Sequence, residues 1–165
     1  GGPPVDGPGV RMSRHGDAVI LSPRRARTVE VNLFRYPLSI PGELTLTEAP
    51  CVLSAEWAAS AGLADADSAV VRNGGTAVLR AGGWDGSLAV RNRRPGDRFQ
   101  PLGLGGRNKK LQDYFVDRKV AREPRDRVPL VVDERDRILW VAGHGIGHEF
   151  RVTDPAQPVL VLRLR

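Results

Sequence analysis

The sequence predicts a mainly β chain with one or two helices, an α+β class. Three observations predict it. Apolar runs are short, and 19 glycines and 13 prolines break them at close intervals. Several runs alternate with polar residues or are continuously apolar, as half-buried and buried strands do. One segment alone, residues 110–120, repeats apolar residues at spacings of three and four, the mark of a helix face.

In chain order, Gly1-Gly-Pro-Pro-Val-Asp-Gly-Pro-Gly9 reads as a linker, residues 10–87 as a β-rich lobe and residues 88–165 as a second domain. The linker opening and the missing initiator Met read as part of a longer protein. Residues 10–14 and 18–22 flank Arg14-His-Gly-Asp17 and predict a hairpin with His15 exposed at its tip. Arg24, Arg25 and Arg27 follow Pro23 as a solvated basic loop. Residues 29–33, and residues 44–47 behind the Ile40-Pro-Gly42 turn, read as meander strands. Residues 55–61 read as a short helix closed by Gly62. Residues 66–71 and 76–80 are further strands around an Asn73-Gly-Gly75 turn, and residues 81–87 are a loop. Trp57 and Trp84 read as packing anchors rather than base-stacking platforms, because neither adjoins a basic cluster.

Residues 88–92 are strand-like, and Arg94-Pro-Gly-Asp97 is a turn by its chemistry. Asn108 is the expected N-cap of a helix that buries Leu111, Tyr114, Phe115 and Val120 and exposes Lys110, Asp113, Asp117 and Arg118. Residues 123–127 add one helical turn. Residues 128–133 and 138–142 form an apolar hairpin through a polar turn, and residues 150–153 and 159–164 supply the last strands.

The net charge is +6, and it is not spread evenly. Residues 91–127 hold twelve Lys/Arg against five Asp/Glu, a net of +7, while the remainder of the chain sums to −1. Such a concentration is the electrostatic footprint of a nucleic-acid binder. No apolar run approaches the ~18 residues of a membrane span, and no secretory signal is visible. Cys51 is the sole cysteine, which excludes an internal disulfide and a cysteine metal cluster, and fits a reduced, cytoplasmic protein.

The glycine-rich stretch Gly103-Leu-Gly-Gly-Arg-Asn-Lys-Lys110 has the shape of a phosphate-holding loop, or of a simple tight turn. It is not a nucleotide P-loop, because Leu111 stands where a magnesium-binding Ser or Thr is required. The candidate phosphate contacts are Arg93, Arg94, Arg98, Lys109, Lys110, Arg118, Lys119 and Arg122. Some arginines have structural alternatives: Arg94 with Asp97, and Arg127 with Asp126 or Asp133. His144-Gly-Ile-Gly-His-Glu149 lacks the His-Glu-x-x-His order of a helical zinc site and reads as a glycine-flexed loop. No metal site, catalytic nucleophile or carboxylate pair is assigned.

Four stretches in fixed order carry a resemblance: Arg93-Arg-Pro-Gly-Asp-Arg-Phe-Gln-Pro-Leu-Gly103, Lys109-Lys-Leu-Gln-Asp-Tyr-Phe-Val-Asp-Arg-Lys-Val120, Arg125-Asp-Arg-Val-Pro-Leu130 and Ile138-Leu-Trp-Val-Ala-Gly143. Residues 88–152 closely resemble the C-terminal domain of the bacterial tRNA(Ile)-lysidine synthetase family, and residues 10–87 more weakly resemble the β-rich stretch before it. The resemblance implies a β-sandwich-like domain and a ligase that uses ATP to join lysine to the wobble cytidine of an isoleucine tRNA with a CAU anticodon. It places ATP, magnesium and catalysis in an N-terminal PP-loop domain, whose Ser-Gly-Gly-x-Asp-Ser signature is absent here. The present residues then position tRNA, without a cofactor and without activity of their own. The rival expectation is a structural module that docks on the catalytic domain or self-associates as a homodimer.

Overall fold

The computed structural model describes residues 5–7, 10–15, 18–23, 33–60, 70–71 and 75–165, with 5–7, 10–15, 18–23 and 70–71 described by backbone alone. The chain divides into two compact units, Gly1–Val31 and Asn32–Arg165. In the first, β1 (Val5–Gly7), β2 (Val10–His15) and β3 (Ala18–Pro23) form an antiparallel sheet in that order. The expected hairpin is β2–β3, closing with His15 opposite Ala18. Residues 5–7, expected to be linker, pair with β2 instead, Val5 opposite Met12. The arginine cluster at 24–27 and the strand expected from residue 29 lie outside the described residues, Leu33 excepted.

The second unit contains, in chain order, β4 (Arg35–Leu38), β5 (Gly42–Leu46), β6 (Cys51–Ala59), β7 (Val70–Val71), β8 (Thr76–Arg80), β9 (Leu88–Arg91), β10 (Arg98–Phe99) and β11 (Lys109–Lys110). There follow α1 (Leu111–Asp117), α2 (Arg122–Arg125), β12 (Leu130–Val132), β13 (Ile138–Val141), β14 (Gly145–Ile146), a 3-10 turn at His148–Phe150, and β15 (Pro158–Leu164). One five-stranded sheet runs β14-β13-β12-β9-β4 and the other β5-β6-β15-β8-β7, with β10-β11 as a separate ribbon. Each sheet takes strands from both sides of residue 87, so the expected division there is not where the compact units part. Non-local pairing decides this: β4 lies against β9, and β15 lies between β6 and β8.

The two sheets share a core of Leu38, Val90, Val131, Leu139 and Trp140 from one and Leu46, Leu53, Ala55, Leu79, Leu160 and Leu162 from the other, as a sandwich requires. On its opposite face the first sheet offers Ala89, Leu130, Val132, Ile138 and Val141 to Leu111, Tyr114 and Phe115 of α1. Strands β9, β12 and β13 are therefore buried on both faces, which is why they read as continuous apolar runs. Pairing jumps from Val131–Trp140 to Val132–Ile138, and this bulge lets adjacent Leu139 and Trp140 both enter the inter-sheet core.

Three local expectations are corrected. Residues 55–59 are strand, not helix: their alanines favour a helix in isolation, but β6 pairs with β15 from Leu53 to Ala59 and tertiary pairing overrides the propensity. Residues 150–153 are not a strand, because Phe150 closes the 3-10 turn and drops fully into the core. Asn108 does not cap α1. Lys110 holds the cap position while paired in β11, and the Leu111 amide donates to the Asp97 carbonyl at 2.9 Å. Trp57, expected as a packing anchor, packs on half-buried Trp84 with centroids 6.0 Å apart but stays 47% exposed, outside the core.

Candidate nucleic-acid interface

The turn at Arg94-Pro-Gly-Asp97 closes with the Asp97 amide on the Arg94 carbonyl at 3.2 Å, and the Asp97 carboxylate accepts the Arg94 amide at 2.7 Å. Gly96, at φ 86°, supplies the left-handed step the turn needs. The chain then enters the β10–β11 ribbon, whose register places Arg98 opposite Lys110 and Phe99 opposite Lys109. Phe99 is buried edge-on against Tyr114 at 4.9 Å, so the ribbon's other face carries Arg98 and Lys110 side by side into solvent. No carboxylate among the described residues lies within ion-pair reach of either. Like charges directly opposite each other destabilise a strand pair, so the fold gains nothing from this juxtaposition by itself.

The other six candidates are placed differently. Arg93 donates to Asp126 at 2.6 Å and Arg94 to Asp136 at 2.9 Å. Lys109 pairs with Asp117 across α1. Arg118 lies over the Tyr114 ring, 4.9 Å from its centroid, and donates to the His144 carbonyl at 3.1 Å. Lys119 and Arg122 are exposed, with no ion-pair partner among the described residues. Of the eight, the structure thus brings Arg98 and Lys110 together, leaves Lys119 and Arg122 unpaired near α1, and ties the remaining four to protein groups. The glycine-rich turn does not run directly into the helix, because β11 intervenes and Leu102 instead donates to the Ile146 carbonyl at 3.1 Å.

Sequence reasoning missed the arginine network behind this surface. Arg91 is fully buried, and its guanidinium engages both Asp97 oxygens at 2.9 Å, the Asn92 carbonyl at 3.0 Å and Asp136 at 3.1 Å. Burial works to lower its pKa, but Asp97 and Asp136 outweigh that and raise it. Asp136 also receives Arg35 from β4 at 2.9 Å. Burial would raise the Asp136 carboxyl, yet Arg35, Arg91 and Arg94 together hold it below the usual carboxylate range. The structural pairing expected between Arg94 and Asp97 is therefore made by Arg91. Likewise Arg127 pairs with neither expected carboxylate: Asp126 takes Arg93, and buried Asp133 takes Arg137 at 2.7 Å. The available signal was the alternation of charge in the Glu-Arg-Asp-Arg turn between two apolar runs, but it could not name the partners.

The two glycines between His144 and His148 have packing roles. A Cβ at Gly145 would collide with the Tyr114 hydroxyl, and one at Gly147 would lie 2.8 Å from the Ile138 carbonyl and 2.9 Å from the Phe150 ring. His144 meets Phe115 edge-on at 5.6 Å; burial first, and Arg118 second, push its pKa below the ordinary value. Among the described residues no group of three or more His, Cys, Asp or Glu is placed to hold a metal ion.

Fold and surface together define a class: a β-sandwich module, backed on one face by a helix, that presents surplus cations from a ribbon and the helix ends. Residues 88–164 match the family model of the TilS substrate C-terminal domain. The chain is 43% identical over 77 residues to a tRNA(Ile)-lysidine synthase of Caldanaerobacter subterraneus, covering 47% of this chain and 16% of the relative. It is 39% identical over 112 residues to that of Symbiobacterium thermophilum, covering 66% of this chain and 21% of the relative. The chain thus spans about a fifth or less of these relatives. A solved structure described as a TILS C-terminal domain superposes with a TM-score of 0.65 at 27% identity, over 81% of this chain and 96% of that one.

Proposed function

We propose that this chain is the tRNA-engaging part of a tRNA(Ile)-lysidine synthase. In this reading the whole enzyme ligates lysine to the wobble cytidine of an isoleucine tRNA using ATP. A separate PP-loop domain holds ATP and magnesium and performs the chemistry. The present residues bind and orient the tRNA in the cytoplasm and are inactive alone. The observation that carries the reading is the exposed Arg98–Lys110 cross-strand pair, which has no counter-charge among the described residues and lies in the segment that matches the family model. A phosphodiester supplies the missing charge and relieves the repulsion between the two side chains. Lys119 and Arg122 extend the same positive field along α1 and α2. Arg93, Lys109 and Arg118 contribute by exchanging a protein partner for phosphate, at a cost that makes each weaker than an unpaired cation, and Arg94 contributes the guanidinium donors that it does not spend on Asp136.

The test is titration of the chain with an isoleucine tRNA transcript at several salt concentrations. The Arg98→Ala, Lys110→Ala double variant should bind several-fold more weakly, with a log K against log salt slope shallower by about one to two. Unchanged affinity and slope would refute the assignment. A chain that forms no salt-sensitive complex at all would instead be a docking or self-association module.

A further inference from the structure

Resting on the RNA reading above, we infer that Arg35 and Arg94 form a second phosphodiester subsite, which extends the RNA surface onto β4, outside the 88–164 family segment. Strands β4 and β9 place Arg35 directly opposite Arg91, a second juxtaposition of like charges. Arg91 is neutralised: its side chain is 2% exposed and forks onto both oxygens of Asp97. That leaves Asp136 as the counter-charge for Arg35 and Arg94, whose side chains are 40% and 44% exposed. One Asp136 oxygen accepts Arg35 Nη1 at 2.9 Å together with Arg91 Nε at 3.1 Å, and the other accepts Arg94 Nη1 at 2.9 Å.

Two exposed guanidiniums therefore converge on a single carboxylate from different segments, and the group carries one surplus positive charge. Each guanidinium has five N–H donors and spends only its Nη1 on Asp136. Neither has another side-chain partner among the described residues. The remaining planar donor edges suit an oxyanion with two accepting oxygens and one negative charge, which is the chemistry of a backbone phosphate. Asp136 is the positioning residue. It holds a left-handed backbone at φ 63°, in a turn where glycine would be less strained, and that geometry delivers its carboxylate to all three arginines. The turn at Arg94-Pro-Gly-Asp97 joins this subsite to the ribbon: Arg94 opens the turn, and Arg98 follows its last residue.

The experiment uses the full chain and compares wild type, Arg35→Ala, Arg35→Lys and the ribbon double variant in tRNA titrations over a salt series. Thermal melts verify that each variant is folded. Arg35→Ala should weaken binding about three- to tenfold at low salt and reduce the salt slope by about one. Arg35→Lys should restore the slope, because the charge remains, while recovering only part of the affinity, because the planar fork is lost. If wild type binds tRNA and Arg35→Ala matches it in affinity and slope, the subsite is refuted and the ribbon reading stands. If wild type forms no salt-sensitive complex, both fall. Titration with inorganic phosphate at matched ionic strength separates the sources. Phosphate binding that is lost in Arg35→Ala, beside unchanged tRNA affinity, would mark a free-phosphate site and overturn the RNA assignment.

Discussion

Lys119 provides the most exposed test of the physical reasoning, because one substitution should move stability and binding in opposite directions. The residue follows α1 at φ 55°, in the left-handed region. Its amide donates to the Val116 carbonyl at 2.9 Å and the next amide, of Val120, to the Phe115 carbonyl at 3.0 Å. These are the two bonds of a Schellman motif, and Val120 packs against the apolar cluster that contains Phe115. The motif favours glycine at the position Lys119 occupies. A side chain in this backbone region costs about 1–2 kcal/mol. Glycine would recover that but lose about 0.5–1 kcal/mol through its freedom in the unfolded chain. Lys119→Gly should therefore stabilise the chain by about 0.5–1 kcal/mol, or about 1–4 °C in Tm. Lys119→Ala keeps its Cβ and should gain nothing. Both variants remove the exposed ammonium and should weaken tRNA binding to a similar extent. Paired melts and titrations of the three proteins make the measurement. If glycine and alanine variants melt together, the strain argument is wrong; if both bind tRNA as wild type does, Lys119 is not a contact.

Other outcomes follow from ionisable groups. His144 is half-buried against Phe115 beside Arg118, so its folded pKa lies below the ordinary value of about 6.5 and the unfolded chain binds the proton more readily. Stability should be complete above that value and decline as pH falls below it. His144→Gln should flatten the decline below about pH 6.5 in melts, and an unchanged profile would exclude His144 as its source. Asp133 is fully buried and accepts the amides of Asp85, Arg135 and Arg137 as well as the Arg137 guanidinium. Asp133→Ala should cost about 2–3 kcal/mol in denaturant unfolding, below the loss for a fully enclosed pair because Arg137 keeps Asp85 and Glu149. A loss under about 0.5 kcal/mol would show that water replaces the carboxylate.

Some features were legible because their cause is local. The Arg94-Pro-Gly-Asp97 turn follows from the dihedral limits of proline and glycine, and the α1 face follows from the spacing of Leu111, Tyr114 and Phe115. The β12–β13 hairpin was readable for the same reason, since two apolar runs flank a short polar turn. Other features turned on residues far away in the chain. Ala55 to Ala59 is strand because β15, about a hundred residues later, pairs with all five residues, and β5 pairs with Ala55 from the other side. Arg91, Arg93 and Arg94 look alike in sequence, yet one is buried on Asp97 and the others are held by Asp126 and Asp136.

By itself, then, the sequence determined the mainly β class, the helix with its buried face, and the segment in which the positive charge is concentrated. Each depends on composition, periodicity or turn chemistry within a few residues. Tertiary structure alone decided which cations remain available. Register across the β10–β11 ribbon sets Arg98 beside Lys110, and pairing of β4 with β9 brings Arg35 to Arg91 and Asp136. The physical reason is that a cation's availability depends on whether a carboxylate lies within a few ångströms, and for these cations the carboxylates arrive from 6 to 101 residues away in the chain.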